Sequence, residues 1–348
     1  MDNTERVIEF EFVRATENAA LNAIHWLGKG EKEQADAAAC DAIQGVFDVV
    51  DICGEVVIGE GIKDNAPGIF LGERLGTWKT GSPKFDIALD PIDGTTNLAK
   101  GRMNSISVIA AAQVPKGAEH VMKHITSFYV HKLSYGPEVA HAMKHDRTSC
   151  ITLDSPVEDI LEFVARVKGK RINEVVACVL DRPRNETFIE GIRAAGAGLR
   201  TVGDGDITAA VAPALPDSGV DIYIGIGGAP EGILASAALK CFDGDIQMRV
   251  WPKDKEEKKQ IQKTMSEKDI RRTYDADDLI IGNSALFCAT GISDSPLLPG
   301  VKLIGNTAIT HSILTRAHSK TIRHIRAVHN LDHKTIRLRS DKKEEHAI

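Results

Sequence analysis

The sequence predicts an α/β protein, and three observations carry that expectation. Two helical patterns open the chain. Apolar strands in the first half run into carboxylates. In the second half, three apolar strands each lead into a polar or glycine-rich loop and then a helix. At 348 residues the chain is long enough for one large domain or two lobes. The expected division is an N-terminal α+β lobe over 1–150, carrying most of the candidate metal-binding acids, and a C-terminal α/β lobe over 151–348.

From Glu9 to Leu27, apolar residues at Val13, Ala20, Ile24 and Leu27 recur at helical spacing, and Gly28 and Gly30 break the pattern. A second helix is expected from about Glu33 to Val50, with Ala39, Ile43, Val46, Phe47 and Val50 on one face and Asp36 near its start. Strands follow at Val56–Ile58, Phe85–Leu89 and Ile106–Ala112. In the second half, Val175–Leu180 precedes Asp181-Arg182-Pro183-Arg184 and a helix to about Ala195. Leu199–Val202 precedes Gly203-Asp204-Gly205-Asp206 and a helix through Ala214. Ile222–Ile224 precedes the loop Gly225-Ile226-Gly227-Gly228-Ala229-Pro230-Glu231 and a helix from about Gly232 to Cys241. Ligands in such lobes gather at the carboxyl ends of the strands. The mixed-sign run over 253–272 reads as a solvated helix or loop, and 321–329 alternates like an amphipathic strand.

Hydrophobic residues make up 43% and charged residues 26%, with a formal net charge of -6. That balance gives no reason to expect a nucleic-acid or anionic-membrane partner. The six cysteines are scattered, without a C-x-x-C pair, and read as buried free thiols. The first residues hold no apolar signal core and no segment reaches membrane-spanning length, so a soluble cytoplasmic protein is expected.

The chemistry concentrates in acids at strand exits. Asp90-Pro91-Ile92-Asp93-Gly94-Thr95-Thr96 follows an apolar strand and sets two carboxylates beside two hydroxyls, although a plain Asp-Gly turn is the alternative. Val56-Val57-Ile58-Gly59-Glu60-Gly61 ends another strand in an acid, with Asp64 four residues on. Glu231 repeats the arrangement, with a helix-capping acid as its alternative. If Asp36, Glu60, Asp90, Asp93 and Glu231 converge, divalent metals are the natural counter-ions. Arg182 and Arg184 suit a phosphate, the Gly227-Gly228 amides a second anion contact, and Asp204 and Asp206 around Gly205 the hydroxyls of a sugar. Together these point to metal-assisted phosphoester chemistry.

The heptapeptide resembles the signature of the metal-dependent, lithium-sensitive sugar and inositol phosphatases. Gly28-Lys29-Gly30-Glu31-Lys32 with Asp36, the Gly59-Glu60-Gly61 strand exit, Asp181–Arg184, Asp204–Asp206 and Gly225–Gly232 follow in one order. That set, continuing through Ala289–Ile292 to Ser319–Arg323, resembles the class II (GlpX-type) fructose-1,6-bisphosphatases over nearly the whole chain. The resemblance implies a layered αβαβα sugar-phosphatase fold and a hydrolase of gluconeogenesis that assembles as a homodimer or homotetramer. Its metal ligands would be Asp36 and Glu60 for one Mn²⁺ or Mg²⁺, and Asp90, Asp93 and Glu231 for another. Its substrate contacts would be Asp93, Gly94, Thr95, Tyr129, Arg182, Pro183, Arg184, Asp204, Gly205, Asp206 and Gly228. Two positions depart from the family pattern: Asp93, where many members carry Glu, and Ile62, where an acid is common.

The expected reaction is hydrolysis of the 1-phosphate of fructose 1,6-bisphosphate. Asp64 would orient or deprotonate water, Thr95 would bond the transferring phosphoryl group, and Lys32 would add charge, with a solvated lysine as its alternative. The 6-phosphate falls to Arg182 and Arg184. Sedoheptulose-1,7-bisphosphatase or dual activity is the nearest alternative reading. Inositol monophosphatase activity fits the arginines less well, and a non-catalytic sugar-phosphate sensor would be expected to lack some of the acids.

Overall fold

The computed structural model describes residues 3–59, 69–145 and 150–340, side chains beginning at residue 8. The chain divides into two compact units, Met1–Met122 with Asn283–Ile348, and Lys123–Gly282. The expected boundary at 150 therefore does not coincide with the observed one. The chain enters the second unit at 123 and returns to the first at 283.

The first unit begins with helices α1 (Asn3–Ala23) and α2 (Lys32–Phe47), followed by β1 (Cys53–Ile58), β2 (Arg74–Leu75), β3 (Lys84–Asp93), helix α3 (Thr95–Ala99) and β4 (Ser105–Gln113). A single 3₁₀ turn, Ile24–Trp26, closes α1 earlier than its apolar spacing suggests.

The second unit holds β5 (Tyr129–Tyr135), α4 (Pro137–His145), α5 (Val157–Lys168), β6 (Val176–Leu180), α6 (Glu186–Ala194), β7 (Gly198–Val202), α7 (Asp206–Val211), β8 (Ile222–Gly228), α8 (Ala229–Cys241) and β9 (Asp245–Val250). Three short helices finish it: α9 (Lys255–Ile261), α10 (Glu267–Arg271) and α11 (Ala276–Leu279). The first two lie in the mixed-charge run and are laced by exposed pairs such as Arg271–Glu267. Back in the first unit come β10 (Ala285–Ser293), β11 (Lys302–Ile304), β12 (Thr307–Arg316) and β13 (Ile322–Asn330).

Two mixed sheets result. The first runs β11-β12-β10-β4-β3-β1-β2, with β13 also paired to β12; β1 and β3 are parallel and its other pairs antiparallel. Its period-2 alternation turns Phe85, Ile87 and Leu89 toward α1 and α2. Phe12 of α1 meets Phe47 of α2 and Phe85 of β3 edge-on, at 5.4 and 5.9 Å between centroids. Alanines 15, 19, 20 and 23 of α1 and 35 and 39 of α2 are buried in the same core; small side chains let helix axes approach closely.

The second sheet runs β7-β6-β8-β5-β9. Strands β6, β7 and β8 are parallel, while β5 is antiparallel to β8 and β9. Ile222 and Ile224 of β8 join the core under α4, α5 and α6. Tyr223, between them, bonds instead to Asp206 of α7, so helices cover both faces of this sheet. Cys40, Cys178, Cys241 and Cys288 are buried, Cys53 is half-buried and Cys150 exposed. Among the described residues, no helix is long and apolar enough to cross a membrane.

Candidate active site

The Asp90 motif lies inside the end of β3 rather than beyond it. Pairing with β4 is regular from Phe85↔Gln113 to Asp90↔Val108, then resumes at Asp93↔Ile106. Two residues of β3 thus oppose one of β4, a β-bulge. Pro91 has no N–H for the ladder, and the Ile92 N–H turns back to Asp90 Oδ1 at 3.0 Å. The bulge has a chemical consequence. Residues three apart on a regular strand face opposite ways, but Asp90 and Asp93 are in register with Val108 and Ile106, which share a face, so the two acids share it too. Ile92 turns the other way, into the core under α1 and α2.

Gly94 ends the strand at φ 92°, and a Cβ there would stand 2.3 Å from the Asn104 carbonyl oxygen. Only glycine fits. Helix α3 begins at once, and the Thr95 Oγ1 lies 3.1 Å from Asp36 Oδ1 and 2.8 Å from the Ile92 carbonyl. The turn between α1 and α2 is tied to the far end of α3, where the Gly28 and Gly30 N–H groups donate to the Leu98 and Ala99 carbonyls at 2.9 Å. Those carbonyls are the ones a helix leaves without internal partners. The docking also brings Lys32 Nζ to 2.8 Å from Thr96 Oγ1. Lys32, Asp36 and the stretch Asp90–Thr95 are thereby assembled in the first unit. Glu60 and Asp64, with Ile62, lie outside the described residues.

In the second unit a different group gathers at the carboxyl ends of β6, β7 and β8. The Arg184 guanidinium sits 4.4 Å from the centroid of the Tyr129 ring, and its Nε donates to the Ile226 carbonyl at 3.0 Å. Trp251 meets Tyr129 edge-on at 6.4 Å. Pro183 opens one 3₁₀ turn, Pro183–Asn185. Arg182 Nη2 lies 3.9 Å from Asp204 Oδ1, and Gly205, at φ 86°, turns the chain into α7.

Strand β6 pairs with β8 only at Ala177 and Cys178, and beyond that side chains stand in for the missing neighbour. Buried Asn185 accepts from the Ile226 N–H at 2.7 Å and donates to the Ile226 and Leu180 carbonyls. Further along, Asp206 Oδ2 accepts from the Gly228 N–H at 3.0 Å, and Lys132 Nζ donates to the Gly228 carbonyl at 3.2 Å. A buried backbone group needs such a partner.

Two expectations change here. Residues 225–228 are strand, paired with Lys132–Tyr129 of β5, and not a loop. The Gly228 N–H bonds to Asp206 instead of lying open to an anion. Asp206 itself points inward: Oδ1 accepts from the Tyr223 hydroxyl at 2.6 Å and Oδ2 from Lys132 Nζ at 2.5 Å. Burial and the neighbouring Asp206 raise the Tyr223 phenol well above its ordinary value, so it stays a donor. The glycines make room for these acids. A Cβ on Gly227 would stand 2.2 Å from Asp206 Oδ2, and one on Gly228 1.8 Å from Glu231 Oε2.

Glu231 occupies the first turn of α8, and its Oε2 is sealed from solvent without a hydrogen-bond partner. Burial first, then Asp206, push its carboxyl above the ordinary value, with Lys132 opposing them. A sealed carboxylate oxygen that lacks a donor fits a hard divalent cation. Among the described residues, no three His, Cys, Asp or Glu side chains form a group that would hold a metal by themselves.

Sequence reasoning does not single out Lys132, Asn185, Tyr223 or Trp251. Lys132 alone leaves a trace, as a lysine set among the apolar residues Val130, Leu133 and Tyr135, where burial requires a charged partner.

A family model described as "Bacterial fructose-1,6-bisphosphatase, glpX-encoded" matches residues 6–329. The class 2 fructose-1,6-bisphosphatase of Haemophilus influenzae is 37% identical over 338 residues, covering 94% of this chain and 97% of that protein. Fructose-1,6-bisphosphatase 1 class 2 of Escherichia coli K12 is 35% identical over 344 residues, again covering 94% and 97%. With its strand-end acids and arginine loop in place, the chain belongs to the bacterial, glpX-encoded fructose-1,6-bisphosphatase family.

Proposed function

We propose that the chain hydrolyses the 1-phosphate of D-fructose 1,6-bisphosphate, releasing fructose 6-phosphate and inorganic phosphate. The family is one of metal-dependent phosphatases. Asp36 and Glu60 would hold one divalent cation, and Asp90, Asp93 and Glu231 another, Mn²⁺ or Mg²⁺. Such cations, when bound, neutralise charge on the phosphoryl group and make water more acidic. The Thr95 hydroxyl, placed between Asp36 and the Ile92 carbonyl, carries the proton that would donate to the transferring phosphoryl oxygen. That contact accelerates the reaction to the extent that it strengthens in the transition state. Asp64 orients or deprotonates the attacking water. Lys32, held beside Thr96, adds positive charge at the phosphoryl end.

The arginine pair carries this reading. Arg184 stacked on Tyr129, with Arg182 beside Asp204, is an anion site of the kind that the 6-phosphate of a bisphosphate requires. A monophosphate would leave it unused. Pro183 sets the arginine turn, Asp204 accepts from sugar hydroxyls, Gly205 allows close approach of the backbone, and Gly228 makes room for the Glu231 carboxylate at the strand end. Asp206, already bonded through both oxygens, shapes the floor beneath them. The working form is a cytoplasmic homodimer or homotetramer acting in gluconeogenesis.

Phosphate release from fructose 1,6-bisphosphate, sedoheptulose 1,7-bisphosphate and inositol 1-phosphate, with and without Mn²⁺, tests the proposal. Mn²⁺-dependent release that favours the fructose ester is expected. Preference for the inositol ester would overturn it.

A further inference from the structure

Lys132 is fully buried in the middle of β5. Its stem lies along α8, where a Cβ on Gly232 would come within 3.3 Å of Lys132 Cδ. Its ammonium contacts Asp206 Oδ2 at 2.5 Å and the Gly228 carbonyl at 3.2 Å, and lies 5.8 Å from the Tyr223 ring centroid. Taking an ammonium out of water is costly unless its partners are well placed. Here those partners lead to Glu231. Asp206 accepts the Gly228 N–H while Lys132 holds the Gly228 carbonyl, so one ion pair clamps both backbone groups of a single residue. Against that residue's Cα rests the Glu231 carboxylate, close enough that any Cβ would collide with it.

We propose that Lys132 is a positioning residue for the cation ligand Glu231, clamping Asp206 and the Gly227-Gly228 ribbon so that Glu231 Oε2 stays aimed and unpaired. The inference rests on the reading of Glu231 as a ligand. A simpler role for Lys132, as a nearby positive charge, predicts the opposite sign. Replacing Lys132 with methionine raises the formal charge of Lys132, Asp206 and Glu231 together from one negative to two. Coulomb attraction alone would then tighten cation binding, whereas loss of positioning weakens it.

The experiment is Mn²⁺ binding by isothermal titration of the full chain, without substrate. Lys132→Met should bind Mn²⁺ about tenfold more weakly, the scale at which supporting partners affect metal ligands. Lys132→Met with Asp206→Asn keeps the local charge of the parent and leaves no unpaired buried carboxylate at 206, so it should fold with a near-parental melting temperature. It should still bind about tenfold more weakly. Tyr223→Phe, which keeps every charge and removes one donor to Asp206, should weaken binding roughly two- to threefold. Glu231→Gln serves as the reference and should remove one Mn²⁺ site. If Glu231→Gln weakens binding while the double variant and Tyr223→Phe match the parent, the positioning role is overturned and the ligand reading stands. If Glu231→Gln binds like the parent, the ligand reading fails, and the role of Lys132 with it.

Discussion

The end of β3 and the end of β8 both deliver a carboxylate from an apolar strand, yet they are built in opposite ways. At β3 the device is an inserted residue: the bulge at Pro91-Ile92 turns Asp90 and Asp93 to one face. Local groups then steady the motif, with the Ile92 N–H on Asp90 and the Thr95 hydroxyl against Asp36. At β8 the device is missing side chains. Gly227 and Gly228 leave space into which Asp206, Lys132 and Glu231 close, and Glu231 Oε2 is left with no donor. One region sets its acids by backbone register, the other by packing charged side chains on bare backbone. The first should tolerate loss of a charge without unfolding, and in the second extra volume should displace a ligand side chain more than it destabilises the fold.

Asp90→Asn tests the first half of that contrast and should have the largest effect on turnover. It keeps the acceptor oxygen for the Ile92 N–H and removes the charge. Turnover should fall by about a thousandfold or more with saturating Mn²⁺, while the melting temperature stays within a few degrees of the parent. Substantial retained activity would remove Asp90 from the metal-binding set. A melt lowered by tens of degrees would show that its charge also holds the bulge.

The two glycines break the comparison more directly. In Gly94→Ala the new Cβ meets backbone, the Asn104 carbonyl, at a residue with φ 92°, so neither neighbour can yield cheaply. Stability should drop by a few kcal/mol, and turnover with it. In Gly228→Ala the new Cβ meets the far end of the Glu231 side chain, which can rotate away. Turnover and Mn²⁺ affinity should fall at least about tenfold with a much smaller loss of stability. Denaturant titration set beside Mn²⁺ titration separates the two outcomes. Equal destabilisation in both variants would mean that the regions are not built differently.

Arg184→Ala should come next. The guanidinium is held by the Tyr129 ring and the Ile226 carbonyl. KM for the bisphosphate should rise roughly ten- to a hundredfold with kcat less affected. An unchanged KM would take Arg184 out of the distal-phosphate site.

The same contrast explains which features are legible in the chain. The helices at α1, α2, α6 and α8 and the strands at β1, β3, β4, β6, β7 and β13 follow from local periodicity, and they lie close to where that periodicity places them. Asp90 and Asp93 are recognisable as chemistry, but their shared face depends on a register shift against β4, which no local pattern encodes. Gly225–Gly228 reads as a loop because three of its four residues are glycine, which is depleted in strands; β5, nearly a hundred residues earlier, makes them strand. The return of β10 through β13 to the first sheet is likewise a matter of distant pairing, so a division at 150 could not be corrected from composition. The partners of Lys132 are hidden for the same reason: Asp206 and Gly228 are distant in sequence.

The smallest effect on turnover, and a separate view of the second unit, should come from His131. It neighbours Lys132 on β5 but turns to the other face, its ring tilted against Phe188 at 5.0 Å between centroids, with Nε2 buried and unpartnered. Burial first, and then the charge of Arg249, lower its pKa to about 4, with Asp154 acting the other way. The folded state therefore holds a neutral imidazole where the unfolded chain, near 6.5, begins to bind a proton. Between those values the unfolded state carries more protons, so stability falls as pH drops from about 6.5 toward 4, by up to ~3 kcal/mol from this one group. His131→Phe keeps a ring against Phe188 and removes the titration. Its melting temperature should decline less than the parent's between pH 7 and pH 4.5, while kcat at neutral pH stays close to parental. Parallel declines would show that other groups, not His131, set the acid limit of the fold.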